Sequence, residues 1–483
     1  MNVKAISRNV GLALLVSSIF MALSVAVSVF YDFDSGYAPL FISAIITFIV
    51  GAFPFIFVRE NPSVSLQDGF VIIVLSWLLS FVFGMLPYVM WGGEMSIADA
   101  WFESVSGFTT TGATILNDIE SLPRSLLFWR SSTHFIGGLG VVVFLLLVVP
   151  SASPFGRRIT RLEVSVLSKE GYRMQSGKLV KVIALVYISI FALATISLRL
   201  AGMPLFDAVN HGFSLCATGG FSTRNASIAY YDSTAINIVT MVFMIVATIN
   251  FALIFTCVVR RSLKPFFRNS IVRFYLLSLV VMSAIVVLSL YFFGGNSLAK
   301  SASDGILTTV SYVTTTGFAF ADNSAWPFLP SLVLMYGAVQ CAMAGSTSSG
   351  IKVDRMMVVF KSIRRQIRSN LHPNATRRIH FGETYMPDDQ VLPVILYMVL
   401  YAMIIVISVI LLLSCKVGGT EAVSGSISCL GNVGPGLGEI SVSGNYDSMP
   451  VMAKLIFSLD MFLGRLEIYP ILIAVSMIFR RDK

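Results

Sequence analysis

The sequence predicts an all-α polytopic membrane protein: two N-terminal helices, then four helix–pore-loop–helix repeats around a pseudo-fourfold axis. Three observations predict it. The 483 residues are 56% hydrophobic and only 12% charged, with a mean hydropathy of +0.82, far more apolar than soluble domains. Apolar runs of spanning length recur along the whole chain. A glycine-centred tetrapeptide returns roughly every 100 residues.

A hydrocarbon core of about 30 Å needs about 20 apolar residues per crossing. The runs 9–30 and 39–57 form an N-terminal unit, 1–66. The first follows Lys4 and Arg8 as a signal peptide would. It is longer than an h-region and lacks a small-residue cleavage site, so it reads as a retained helix. Runs 69–91 and 124–150 flank the first glycine segment (unit 67–156), and 179–202 and 235–259 the second (177–262). The third lies between 271–293 and the long stretch 328–369 (unit 270–370), the fourth between 391–414 and 451–479 (390–483). Ten crossings result.

The net charge of +9 is topological and does not point to nucleic acid. With the N-terminus in the cytoplasm, the inner segments hold Lys4, Arg8, Arg59, the groups Arg157–Lys181, Arg260–Arg273 and Lys352–Arg378, and Arg480, Arg481 and Lys483, together 26 of the 34 Lys and Arg. Outer loops carry Asp32, Asp34, Glu94, Asp118, Glu120, Asp232 and Asp322. This is the positive-inside distribution, with both termini cytoplasmic. Cys216, Cys257, Cys341, Cys415 and Cys429 form no C-x-x-C pair and read as buried thiols without a metal or disulfide role.

The repeats align on Thr110-Thr111-Gly112-Ala113, Thr218-Gly219-Gly220-Phe221, Thr315-Thr316-Gly317-Phe318 and Asn432-Val433-Gly434-Pro435. Thirteen positions before each glycine stands an acid (Asp99, Asp207, Asp304, Glu421), and six before it a serine (Ser106, Ser214, Ser311, Ser428). Acids are 25 of 483 residues, so four at one offset is not coincidence. From acid to the approach of the glycine is about nine residues, roughly 13 Å of helix, half a membrane. An acid at the outer start suits the positive end of the helix dipole, and the other end offers carbonyls to a cation at mid-membrane.

Beyond each half-helix the backbone runs extended, and glycine lets four strands approach one axis. Irregular backbone at this depth is tolerated only where it is buried in protein or lines a water-filled cavity. Four such loops on one chain imply a shared path, and rings of backbone carbonyls are how potassium filters replace the ion's hydration shell. The filter residues are Thr110, Thr111, Gly112, Thr218, Gly219, Gly220, Thr315, Thr316, Gly317, Asn432, Val433 and Gly434, with K⁺ as transported ion and no other metal or cofactor.

These motifs (S-G-F-T-T-T-G-A-T at 106–114, C-A-T-G-G-F-S-T at 216–223, V-T-T-T-G-F at 313–318, G-N-V-G-P-G at 431–436), with W-R-S at 129–131, G-G-L-G at 137–140, A-G-S-T-S-S-G-I-K at 344–352 and G-R-L-E at 464–467, resemble the Trk/Ktr/HKT superfamily of potassium transporters. Its bacterial Trk-system membrane subunits are the nearest likeness, because two leading helices precede the repeats. The resemblance covers nearly the whole chain. It implies K⁺ uptake through a K⁺-channel-like fold in a bacterial inner membrane, a homodimer with one pore per protomer, and a cytosolic nucleotide-binding (NAD/ATP) regulatory ring. The fourth repeat departs from the pattern with Asn432-Val433 and Pro435. All four glycines are present, whereas sodium-passing relatives carry serine at the first, so K⁺ over Na⁺ is expected by analogy.

The stretch 328–369 is twice the length of one crossing. Its break falls at Gly345-Ser346-Thr347-Ser348-Ser349-Gly350, weak in helix propensity and flexible. This run, with Lys352, resembles the family's intramembrane loop that obstructs the pore below the filter; a passive kink is the other reading. Arg465 stands about 15 residues into the last span, and a mid-membrane charge costs about 2.5–3.5 kcal/mol, so it faces water or a partner. It is expected beside the loop as an electrostatic barrier, or paired with Asp460 or Glu467. Arg130, His134 and His211 either tie helices together or relay protons for symport. Asn250 reads as an interhelical hydrogen bond, and Gly137, Gly138 and Gly140 as close-packing positions.

An enzyme is not expected. There is no G-x-S-x-G or H-E-x-x-H, and Gly177-Lys178 is followed by Leu179, so no Walker A is formed. A K⁺/H⁺ or K⁺/Na⁺ symporter with alternating access stays open as the alternative to a gated channel. The 352–390 segment, with Arg364, Arg365, Arg377, Arg378, Glu383, Asp388 and Asp389, is the candidate docking surface for the regulatory ring, or a solvated inner loop.

Overall fold

Among the described residues, six helices are long and apolar enough to cross a membrane: Val3–Phe30, Tyr37–Phe57, Gln67–Trp91, Lys181–Leu200, Ser270–Phe293 and Gln390–Ser414. They belong to a computed structural model that describes residues 2–59, 65–93, 95–148, 176–372, 379–381, 384–386 and 388–479. Arg124–Val148 adds a 25-residue helix. The chain is a multi-pass membrane protein turned inside out relative to soluble folds. Phe30, Phe48, Ile49, Phe57, Leu277, Val280 and Phe292 face outward, while Ser17, Ser24, Thr47, Ser104 and Thr133 are buried. The first two helices cross where Gly11 and Gly51 meet, each against the other's carbonyl, as small residues permit.

Three further runs are each built from two helices. Phe328–Val339 and Val353–Leu371 are separated by the non-helical loop 340–352, where the sequence places a break. The other two breaks are not expected from the sequence. The run 235–259 bends by 100° between Thr234–Ala247 and Phe251–Val259, and 451–479 is split into Val451–Arg465 and Tyr469–Phe479. Neither break contains a proline or a glycine; both are held open by partners from elsewhere in the chain. At the bend, the Asn250 side chain caps the new helix by accepting from Leu253 N. The carbonyls freed there find donors on the 340–352 loop, Met343 N for Thr248 and Thr347 Oγ1 for Ala247. At the second break Glu467 and Ile468 are left-handed, φ 59° and 56°, and Glu467 is ion-paired with Arg355.

Four shorter helices, Ile97–Phe108, Leu205–Ala217, Leu298–Val313 and Gly419–Gly431, lie largely buried among the spans. Their 12 to 16 residues give about 18–24 Å, too short to span. Asp99 completes a capping box with Ser96, and Asp207 and Glu421 also sit in first turns. Asp304 does not. Ser297 caps the third short helix seven residues upstream of that acid, so Asp304 falls in its second turn.

Val353–Leu371 is followed by an antiparallel hairpin, Ile379–Phe381 with Thr384–Met386, the one sheet among the described residues. Arg157 and the basic residues up to Arg173, together with Glu94, Arg377, Arg378, Glu383, Arg480, Arg481 and Lys483, lie outside the described residues.

Candidate functional site

After each short helix the backbone repeats one conformation. The residue two before the glycine is left-handed in every segment: Thr110, Thr218 and Asn432 at φ 54° and Thr315 at 57°. The glycines themselves are at φ 78°, 84°, 72° and 100° for Gly112, Gly220, Gly317 and Gly434. A left-handed threonine is a rarity that costs about 1–2 kcal/mol; three at matching positions mean the surroundings impose the geometry. Asparagine adopts it more readily, which accounts for Asn432 in the threonine's place.

The four segments close a ring. A Cβ on Gly112 would strike the carbonyl of Gly219, one on Gly220 that of Thr316, one on Gly317 that of Val433, and one on Gly434 that of Thr111, each under 3.0 Å. Every glycine thus abuts the carbonyl that precedes the next segment's glycine. Asn432 ties fourth to first, its Nδ2 donating to Thr111 Oγ1 at 2.9 Å. All four glycines line one polar cavity of about 140 Å³, with Arg130, Ser222, Arg224 and Asn225 further out on its wall.

The recurrent serine holds each loop to its helix. Its carbonyl accepts from the residue before the glycine in all four copies, at 2.8–3.0 Å. Its hydroxyl donates to the carbonyl after the glycine in three: Ser106 to Ala113, Ser214 to Phe221 and Ser311 to Phe318, at 2.5, 2.7 and 2.8 Å. Ser428 Oγ has no partner among the described residues, although the equivalent residue, Pro435, retains its carbonyl. Gly219 is small for a separate reason: the His134 ring packs against its Cα.

On one side of the ring sits the 340–352 loop, its neck closed by a parallel bridge between Gln340 and Ile351. Gly345 (φ 78°) and Gly350 (φ 68°) make its turns. Thr315 Oγ1, in the ring, donates to Ser348 Oγ at 3.1 Å, and Thr347 Oγ1 to Cys216 O at the end of the second short helix. Ser346 Oγ turns back to Met343 O, and Lys352 Nζ donates to Ser348 O. Arg465 clasps the loop: Nη1 donates to Thr347 O and Ser349 Oγ, both at 2.8 Å, and Nη2 to Gly137 O at 3.0 Å. It pairs with neither expected acid, since Asp460 accepts from Ser408 and Glu467 from Arg355.

Two contributors, Asp354 and Glu103, escape sequence reasoning, and Asn250, which the sequence reads as an interhelical hydrogen bond, bonds to the loop instead. Asn250 donates to Ala344 O at 2.8 Å and Phe251 N to Gly345 O at 3.0 Å, so the bend at 248–250 is the loop's socket. Asp354 accepts from Ala344 N at its base. Glu103 forms a buried pair with Arg130; an acid inside an apolar half-helix was the available signal. Replacing Asn250 by alanine removes one tether, worth about 1 kcal/mol, and a helix cap worth about as much. Basal cation flux in proteoliposomes is expected to rise several-fold with an unchanged K⁺/Na⁺ ratio; a flux equal to the parent's removes Asn250 from loop anchoring.

The comparisons with known proteins identify the family and the overall fold. The family model TrkH, described as cation transport protein, matches residues 38–483. The chain is 32% identical over 487 residues to the Trk system potassium uptake protein TrkH of Salmonella typhimurium, covering 100% of both chains. It is 30% identical over 488 residues to Trk system potassium uptake protein TrkG of Escherichia coli K12, covering 100% of this chain and 99% of the relative. The crystal structure of the potassium transporter TrkH from Vibrio parahaemolyticus superposes with a TM-score of 0.90 at 30% identity, covering 100% of each chain. From the first helix pair to the last broken span, this chain belongs to the TrkH family of cation transport proteins, a transporter family and not an enzyme family.

Proposed function

We propose that the chain takes up potassium across a bacterial inner membrane through the ring of Gly112, Gly220, Gly317 and Gly434. The single observation that carries this is the closure of four equivalent segments, each glycine against its neighbour's carbonyl, around one polar cavity. Backbone oxygens so placed replace the hydration shell of a dehydrated monovalent cation. The relatives are named potassium uptake proteins, which favours K⁺ as the cargo. The units 67–156, 177–262, 270–370 and 390–483 each contribute one quarter of the filter.

The 340–352 loop is the gate. Its contacts with Thr315 and Cys216 support an obstruction at one end of the ring, and the buried positive charges of Arg465 and Lys352 beside it oppose a passing cation. Positive-inside charge supports cytoplasmic termini. The family resemblance supports a homodimer with a cytosolic nucleotide-binding ring, which docks on the inner segment that includes Arg364 and Arg365. In favour of a proton-coupled symporter stand His134 and His211, both buried behind the ring.

Recording from purified protein in planar bilayers separates the two. A gated filter gives K⁺ currents that follow the electrochemical gradient and ignore pH; currents that reverse with the proton gradient mean coupled transport.

A further inference from the structure

Behind the ring, the first two segments are held differently from the last two. Nine positions before its glycine the first short helix carries Glu103 and the second His211; the corresponding residues of the third and fourth are Thr308 and Gly425. The Glu103 carboxylate accepts from Thr114 Oγ1 at 3.0 Å and from Ile115 N at 3.2 Å. His211 Nε2 lies 3.0 Å from Ser222 Oγ. Thr114 and Ser222 both stand two residues past their glycines, where the other segments have Ala319 and Gly436. The fourth segment is instead held by two tyrosine hydroxyls, Tyr446 to Gly434 O at 2.9 Å and Tyr312 to Gly436 O at 3.3 Å.

Arg130 bridges the first pair. Its Nε donates to Glu103 Oε1 at 2.5 Å and its Nη1 to Ser222 O at 3.0 Å, 92 residues away in the chain. The guanidinium carbon lies 3.5 Å from the centroid of the Phe221 ring, whose own carbonyl is tied by Ser214. Arg130 and Glu103 are buried to 1% and 0% exposure, and Arg130 reaches the wall of the cavity that the four glycines line. Two buried charges are costly unless each is fully hydrogen-bonded. Here that condition fixes the outer ends of adjacent segments relative to one another.

We propose that Arg130, with Glu103 as its counter-charge, is a positioning residue for ion selectivity: its fork sets the spacing between the first and second filter segments. The proposal rests on the ring being the filter. Discrimination between K⁺ and Na⁺ depends on where the carbonyls stand and how rigidly they are held. Lysine at 130 keeps the charge for Glu103 but has no planar fork with which to reach Glu103 and Ser222 O together.

The test compares Arg130→Lys, Glu103→Gln and the double variant Arg130→Met/Glu103→Leu in proteoliposomes, with Gly220→Ser alongside and K⁺ and Na⁺ fluxes measured separately. Arg130→Lys is expected to transport K⁺ while its K⁺/Na⁺ ratio falls about tenfold, a readout that a merely structural role would not move. The double variant, which leaves no unpaired charge behind, is expected to assemble with the ratio lowered as well, and it carries the test if the single variants do not assemble. Parent-like ratios in Arg130→Lys and the double variant, with the ratio lost in Gly220→Ser, overturn the proposal and leave the filter standing. A parent-like ratio in Gly220→Ser overturns the filter reading and the proposal with it.

Discussion

Serine in place of Gly112, Gly220 or Gly317 is expected to reduce K⁺ over Na⁺ discrimination by about tenfold or more, equivalent to at least about 1.4 kcal/mol of differential ion binding. Two costs coincide at each position. The backbone is left-handed there, φ 72–84°, which is worth about 1–2 kcal/mol against any residue with a Cβ. The added Cβ also strikes a carbonyl that the reading assigns to the ion, so the relief of the clash moves an ion ligand. Uptake of K⁺ and Na⁺ tracers at equal gradients measures the ratio. A wild-type ratio in Gly220→Ser alone removes the ring from ion selection, and wild-type ratios in the other two variants do so independently.

Arg465→Gln is expected to raise basal K⁺ flux about tenfold with the ratio intact. Hydrogen bonds from a charged donor are worth about 1.5–3 kcal/mol each, and Arg465 makes three, two of them to the 340–352 loop. Losing even one of them shifts a closed–open balance by about tenfold. Arg465→Lys divides the two parts the residue plays. It keeps the charge yet reaches fewer acceptors, so a flux as low as the parent's assigns the block to electrostatics, and a flux matching Arg465→Gln assigns it to the clasp. Parent-like flux in both variants denies Arg465 any part in closure.

What was legible in the sequence is what repeats or what must be apolar. The long spans, the four glycine segments and the interrupted stretch follow from hydropathy and spacing, because the bilayer leaves the backbone few alternatives. The serine offset became a hydrogen bond to the loop in all four copies. Not legible were the breaks at 248–250 and 466–468. Their residues are apolar or ordinary polar, with no proline or glycine; only the arrival of Thr347, Met343 and Arg355 from distant parts of the chain satisfies the freed groups. Arg465 lies on the loop, whereas Asp460, five residues before it, and Glu467, two after it, are close in sequence but turn away to Ser408 and Arg355. Asp304 shared the offset of the other acids without sharing their place at a helix start, since Ser297 opens its helix earlier.

The ring closes between the two ends of the chain, with Asn432 reaching Thr111 across 321 residues. Synthesis therefore delivers three sides of the ring long before the fourth. Until the last quarter leaves the ribosome, the Thr111 carbonyl has no Gly434 beside it and the assembly is an open trough in the bilayer. A stop codon before the fourth glycine segment therefore leaves the ring open on the side where Asn432 and Gly434 would meet Thr111.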